Sequence, residues 1–202
     1  MLVRRLADGV PQAEGLIPLI ADLMSEAGTP FASLGRIAVC TGPGGFSGIR
    51  TGVAAARGIA LAANVPVVGA TSFQIMAAAF EKQDGTPDTY GLAAPAGQSA
   101  VFCQIFGRGG KPLTEIVALP HSETGAFFER RAEVLAGPAA AALSGAGYVS
   151  LPIRAADLTP DAETLAEIAP SLDPERDLPS PYYVRPPDAR PQDRHIIPRK
   201  DD

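Results

Sequence analysis

The stretch Thr41-Gly-Pro-Gly-Gly-Phe-Ser-Gly-Ile-Arg50 is where residue types and spacing first suggest chemistry in this 202-residue chain. Gly42, Gly44, Gly45, Ser47 and Gly48 stand between an apolar run, Ile37 to Cys40, and an alanine-rich helical segment. A glycine-rich turn opening a helix can hold phosphate on its free backbone N–H groups. Three nucleotide patterns fail on it. A P-loop needs a lysine after its second glycine to neutralise phosphate charge. Aligned on Gly48, Pro43 takes the first glycine's place and Ile49 the lysine's. The dinucleotide fingerprint begun at Gly42 needs glycine where Ser47 stands. The short-chain dehydrogenase form fits Thr41, Gly42 and Gly48 but meets Phe46 at its middle glycine, and no tyrosine has a lysine four residues on. A tight structural turn is the better expectation.

Other reactive groups are scattered. His121 and His195 have no H-x-x-x-H or H-E-x-x-H pairing, so a zinc site is not expected. Ser47 and Ser99 lack a readable His–Asp arrangement and read as cap or turn serines. Asp22/Glu26 and Glu163/Glu167 read as solvated helix faces, and Arg185 and Arg190 as solvated tail residues. No catalytic residue is therefore assigned.

The elements that must position the glycine loop follow from periodicity. Ala13, Leu16, Ile17, Ile20, Leu23, Met24 and Ala27 recur at helical spacing, with Pro18 predicting a bend or a start there. RIAVCTG (36–42) reads as a strand, and its continuous apolar run predicts cover on both sides. Ser47 is the expected N-cap of a helix from Gly48 to about Ala63, with Asn64 and Pro66 ending it. VPVVGA is a second strand, and Thr71 with Gln74 has capping-box spacing before the helix SFQIMAAAFEK. Strand and helix alternate here, which predicts a parallel sheet. Beyond Thr89 the runs TYGLAAP, SAVFCQIFG and PLTEIVAL read as strands, with RGGK as a hairpin turn. A helix around Glu123–Arg131, a strand AEVLAG, an alanine-rich segment from Pro138 and a helix from Thr159 with Pro160 at its first position follow. Eight prolines in residues 170–202 predict an extended, partly disordered tail. The expected organisation is a lobe over 1–88, a second α/β lobe over 89–170 and a tail over 171–202.

Composition narrows the class. With 46% hydrophobic and 19% charged residues the chain reads as a packed globule, and a net charge of −5 gives no electrostatic footprint for nucleic acid. No apolar region follows Met-Leu-Val-Arg-Arg-Leu, so a signal peptide is not expected, and no run has the length of a membrane span. Cys40 and Cys103 lie in strand-like runs and read as buried free thiols of a reducing cytoplasm.

The loop helix carries a stripe of small residues. Gly48, Gly52, Ala55 and Ile59 fall on one face, with Arg50, Arg57 and Asn64 opposite. Glycine inside a helix costs about 1 kcal/mol against alanine. Such a stripe admits a close backbone neighbour, either the chain's own sheet or, together with the first helix, half of a four-helix interface with another subunit.

GPGGFSGIRTGVAAARGIALAANVPVVGATSFQIMA (42–77) resembles the TsaB (YeaZ) family signature, near GPGSFTGLR followed by a small-residue helix and I-P-x-x-G-x-S-S. The first helix resembles the family's L-L-P-L-I helix, and PYYVRPPDARPQ its closing P-x-Y-L-R-x-P-D-A. The resemblance implies an actin-like, RNase H-like two-lobed α/β fold with an incomplete first lobe. It implies a non-catalytic, cytoplasmic dimerisation subunit for TsaD, acting with TsaE in forming threonylcarbamoyladenosine next to the tRNA anticodon. It implies contact with tRNA only indirectly, none with a membrane, and a homodimer when TsaD is absent. Any ATP or ADP would belong at the complex interface, and no metal or other cofactor to this chain. The implied interface is Leu16, Leu19, Ile20, Leu23 and Met24 of the first helix with Gly48, Gly52, Ala55 and Ile59 of the second. Gly42, Pro43, Gly44, Gly45, Phe46, Ser47, Gly48 and Arg50 form the signature loop.

Two departures qualify it. Pro95, Ala96 and Gly97 stand where the family has D-A-R. The family's opening strand, like K-I-L-A-I-D-T-S, and its hairpin have no counterpart here; three such strands with turns take about 25–35 residues. The expectation is a reading frame that begins upstream of Met1. Two other classes compete: a nucleotide-dependent enzyme using the 42–48 loop, and a metal-dependent peptidase, which lacks ligand spacing.

Overall fold

A computed structural model describes residues 1–7 and 9–184. Helix α1 (Gln12–Glu26) runs unbroken through Pro18, so the regular helix does not start there. Pro18 is tolerated because it is exposed, where water can take the carbonyl its missing N–H leaves free. Strand β1 (Ile37–Gly42) leads to α2 (Phe46–Ala63), then β2 (Val67–Thr71) and α3 (Ser72–Glu81). Asn64 closes α2 in the left-handed conformation at φ 54°, as its position predicts. The start of α2 differs from expectation: Gly45, not Ser47, is the N-cap, and no side chain caps the turn. The capping box at α3 forms as expected. Thr71 Oγ1 accepts from Gln74 N at 3.1 Å, and Thr71 N donates to Gln74 Oε1 at 2.7 Å.

β1 and β2 pair in parallel, Ile37 opposite Val67 through Cys40 opposite Ala70. Expected to be covered on both faces, Ile37 to Cys40 are only half-buried; full burial starts at Thr41. The second sheet has the order β5-β4-β3-β7, with β6 also on β4. Its strands are β3 (Thr89–Pro95), β4 (Ala100–Gly107), β5 (Lys111–Pro112), β6 (Val117–Pro120) and β7 (Val134–Ala136). PLTEIVAL, expected as one strand, is divided at Thr114. Its hydroxyl accepts from Ile105 N at 3.0 Å and its carbonyl from Gln104 Nε2 at 2.8 Å, so side chains replace ladder bonds there. The helix expected over 123–131 shortens to α4 (Thr124–Phe128), because Arg130 turns to φ 75°. Helix α5 (Ala140–Gly145) follows β7. Helix α6 (Ala162–Ile168) starts after Pro160, not at it, because Asp161 caps it by accepting from Thr164 N at 2.7 Å.

Strand alternation sorts the core into two layers. Tyr90, Leu92 and Phe106 face α3 and pack with Phe73, Met76, Ala77 and Phe80. Ala93, Val101, Cys103 and Ile105 face the other way, onto Phe128, Leu135, Ala140 and Leu143. Among the described residues the tail has no helix or strand beyond Ser171. Residues 172–184 lie against the body, with Tyr182 and Val184 joining the α3 layer. Arg185, Arg190 and His195 lie outside the described residues.

Gly91 of β3 tests the packing of the lower layer. A Cβ there would stand 2.5 Å from Cδ1 of Phe128, a ring with no exposure and no room to turn aside. Gly91→Ala should lower unfolding stability by about 1–3 kcal/mol through overpacking. Gly145→Ala, whose Cβ meets nothing within 4 Å, should cost nothing. Urea midpoints of the two variants check this.

Candidate functional site

The glycine loop is a hinge between a buried strand end and an exposed helix start. Thr41, Gly42 and Pro43 are buried, while Gly44 to Ser47 are exposed. Gly42 has φ 91°, and a Cβ there would meet Ile49 Cδ1 at 2.5 Å, so both conformation and space require glycine. The buried half is pinned through polar bonds: Ser72 Oγ donates to Pro43 O at 2.9 Å and Thr41 Oγ1 to Ala70 O at 3.1 Å. On the exposed half Arg50 lies over the Phe46 ring, 3.7 Å from its centroid. Arg50 Nε donates to the Tyr183 hydroxyl at 2.8 Å, and the Phe46 and Tyr183 rings stand 5.6 Å apart. Phe46 thus occupies the place a dinucleotide loop keeps for glycine, beneath a guanidinium already engaged by tyrosine.

The structure packs α1 on α2, and of the predicted α2 stripe it places Gly48 against α1 and Gly52 against β1. On α1, Leu16, Leu19, Ile20 and Leu23 share the side that carries Gln12, and all are half-buried, as is Met24. On α2, Gly48 lies against the Gln12 amide, Gly52 looks at Val39 of β1, with Cγ2 at 3.7 Å from a built Cβ, and Ile59 lies beside Phe31. Ala55 is half-buried between them. The small residues therefore serve a seam inside the chain. What α2 leaves open is the neighbouring face: Ser47, Ala54 and Gly58 are exposed, a Cβ on Gly58 would meet nothing within 4 Å, and Leu61 is 85% exposed. On α1, Ala13, Ala21 and Ile17, the last 49% exposed, are open in the same way. No α1 residue is fully buried.

The scattered groups stay apart. His121 is half-buried beside Tyr148, with ring centroids 5.7 Å apart, at the far sheet. Ser99 is exposed in the β3–β4 turn. Glu26 pairs with Arg4 and Glu167 with Lys82. Among the described residues no three His, Cys, Asp or Glu side chains group as metal ligands, and no helix is long and apolar enough to cross a membrane. The cluster of Phe46, Arg50 and Tyr183 was missed from sequence. Its local half, an aromatic and an arginine four apart on one helix, was the available signal; Tyr183 lies 133 positions away.

The TsaD family model, described as tRNA N6-adenosine threonylcarbamoyltransferase, matches residues 12–157. The tRNA threonylcarbamoyladenosine biosynthesis protein TsaB of Escherichia coli is 31% identical over 70 residues, 35% of this chain and 30% of that protein. The tRNA N6-adenosine threonylcarbamoyltransferase of Paracoccus denitrificans is 29% identical over 140 residues, 67% of this chain and 39% of that one. These matches span well under half of each relative's length. The solved structure of YeaZ from Pseudomonas aeruginosa superimposes with a TM-score of 0.68 at 24% identity, covering 86% of this chain and 85% of that one. A second structure from that organism, with similarity to peptidase YEAZ, gives 0.70 over 87% and 85%. The fold is accordingly the actin-like α/β fold.

The two cysteines allow a direct check on local burial. Burial pushes the Cys103 thiol up to about 12. Burial also raises Cys40, against a smaller lowering by its hydrogen bond with the Gly42 backbone. Neither is a thiolate at neutral pH, so neither is a ready nucleophile. With Ellman's reagent at pH 7.5, Cys103 should stay unreacted and Cys40 should react more slowly than free cysteine, both reacting rapidly in denaturant. Fast release of one equivalent from the native chain would contradict this burial.

Proposed function

This chain belongs to the TsaD family, with its likeness to the TsaB/YeaZ proteins, and on that premise we propose a non-catalytic scaffold that binds TsaD in the complex forming N6-threonylcarbamoyladenosine in tRNA. The observation that carries the reading is the packed α1–α2 pair, which leaves Ala54, Gly58 and Leu61 exposed beside Arg57 on α2 and Ile17 exposed on α1. In this reading the signature loop does no chemistry; it turns the chain from a buried strand into the partner-facing helix. TsaE is the further partner, a homodimer forms when TsaD is absent, and the cytoplasm is where they meet. The chain itself needs no cofactor, any ATP or ADP lying at the interface. The chemistry belongs to TsaD.

The test follows from the open face. Gly58→Arg places a long charged side chain where a Cβ meets no other atom, so the fold is spared and the partner excluded. The variant should keep its thermal midpoint and lose co-purification with TsaD of the same organism by at least about tenfold, the effect of a charge desolvated at an interface. Gly52→Leu is less informative, because its side chain would press on Val39. Wild-type capture of TsaD by a folded Gly58→Arg chain would remove the interface assignment. The competing reading, a nucleotide enzyme using residues 42–48, predicts tight ATP or NAD binding by the chain alone in calorimetry.

A further inference from the structure

Helix α2 starts badly as a helix. Its N-cap is Gly45, without a side-chain cap, and Gly48 and Gly52 both favour the unfolded chain over the first turns. Its first backbone bond is Ile49 N to Gly45 O, at 3.0 Å. Something outside the helix must hold this turn for it to be ordered.

The C-terminal segment is placed to do so. Arg36 anchors its beginning, its guanidinium donating to Ala169 O at 2.6 Å and Leu172 O at 2.5 Å. Gly69 N, in the middle of β2, donates to Asp177 O at 2.8 Å. A Cβ on Gly69 would stand 2.7 Å from Leu178 O and 3.2 Å from Pro179 Cα, so the segment lies directly on the strand where a side chain would exclude it. Tyr182 N then donates to Thr41 O at 2.9 Å, at the entrance to the signature loop. One residue later Tyr183 accepts from Arg50 Nε and lies beside Phe46. Phe46 and Arg50 sit on the side of α2 away from Gly48 and α1. The first turns of α2 are therefore gripped from two sides, by Gln12 of α1 and by Tyr183.

We propose that residues 172–184 form a docked strap whose latch, Tyr183 on Arg50 and Phe46, steadies the uncapped first turns of α2 through their side chains. Tyr183 is a positioning residue: it touches no partner and acts by keeping the first turns of α2 helical. Undocking of the strap is then a local opening, well below global unfolding in free energy, that frays Ile49 to Thr51 and leaves the rest of α2 in place. A partner that needs α2 ordered to its first turn binds the strapped form better and so favours docking in return. That consequence rests on the partner reading above; the opening itself is a property of the chain alone.

Native-state hydrogen exchange on the isolated chain tests it, with no partner present. In the wild type the Gly69 amide should be protected, since its acceptor belongs to the strap. Tyr183→Ala should speed exchange at Gly69 and at Ile49 to Thr51 by about tenfold, the weight of one hydrogen bond with its ring contacts. Val53 to Ala60 and the Leu92 amide of the central strand should keep wild-type rates. Tyr183→Phe, which keeps the ring and loses the hydroxyl, should recover part of the protection at Ile49 to Thr51. An unprotected Gly69 in the wild type would overturn the docking. Loss at Gly69 with Ile49 to Thr51 unchanged would overturn the latch. Uniform loss that includes Leu92 would make Tyr183 an ordinary stability residue and overturn the local opening.

Discussion

Burial of α3 between the two sheets is the constraint on which the rest of the architecture depends. Six of its ten residues are buried, and Phe73, Met76, Ala77 and Phe80 supply the apolar surface on which β3 and β4 lie. The contact is aromatic at its centre, with Phe80 and Tyr90 centroids 4.6 Å apart and Tyr90 stacked on Phe106 at 5.7 Å. Such rings contribute both large buried area and preferred geometry. A two-stranded sheet alone is marginal in water. The β1–β2 pair is therefore held in place by α3 beneath it, and the glycine loop at its end inherits that rigidity through Ser72 and Pro43. The core runs across residue 88, joining Phe73 and Phe80 of α3 to Tyr90 and Phe106 of the second sheet.

What could be read from sequence follows the range of the interactions. The Thr71–Gln74 capping box, the Asn64 helix end and the alternation of β3 and β4 depend on residues within a few positions, and each forms as its local pattern demands. The failures are long-range. Thr114 breaks a strand because its hydroxyl finds Ile105 across the sheet. At the candidate site the stripes on α1 and α2 were legible, since helical spacing shows an apolar face. Which body meets that face was not, because spacing says nothing of whether a neighbour belongs to the same chain.

That ambiguity resolves into a division of labour around α2. The face with Gly48 and Gly52 is turned inward, Gly48 toward the Gln12 amide of α1 and Gly52 toward Val39 of β1. The face with Val53, Ala56 and Ala60 is buried. The face with Ala54, Gly58 and Leu61 remains open. Glycines that weaken the helix intrinsically are accepted because the seam they permit contributes packing on two sides. Exposed Leu61, one turn from the exposed Arg57, has no such internal contact.

The same helix shows why an intact signature loop need not imply phosphate chemistry. A phosphate loop leaves its N–H groups facing an open space and keeps side chains away from it. Here Phe46 projects at the turn, Arg50 closes over its ring, and Tyr183 takes the guanidinium from the other side. The positive charge that could meet an anion is spent on holding the chain's own C-terminal segment. Glycine at 42 serves the turn itself, with its positive φ and the Ile49 side chain against it. The loop thus has the geometry that redirects a strand into a helix, while the Phe46, Arg50 and Tyr183 side chains on its exposed side tie that helix to the C-terminal segment.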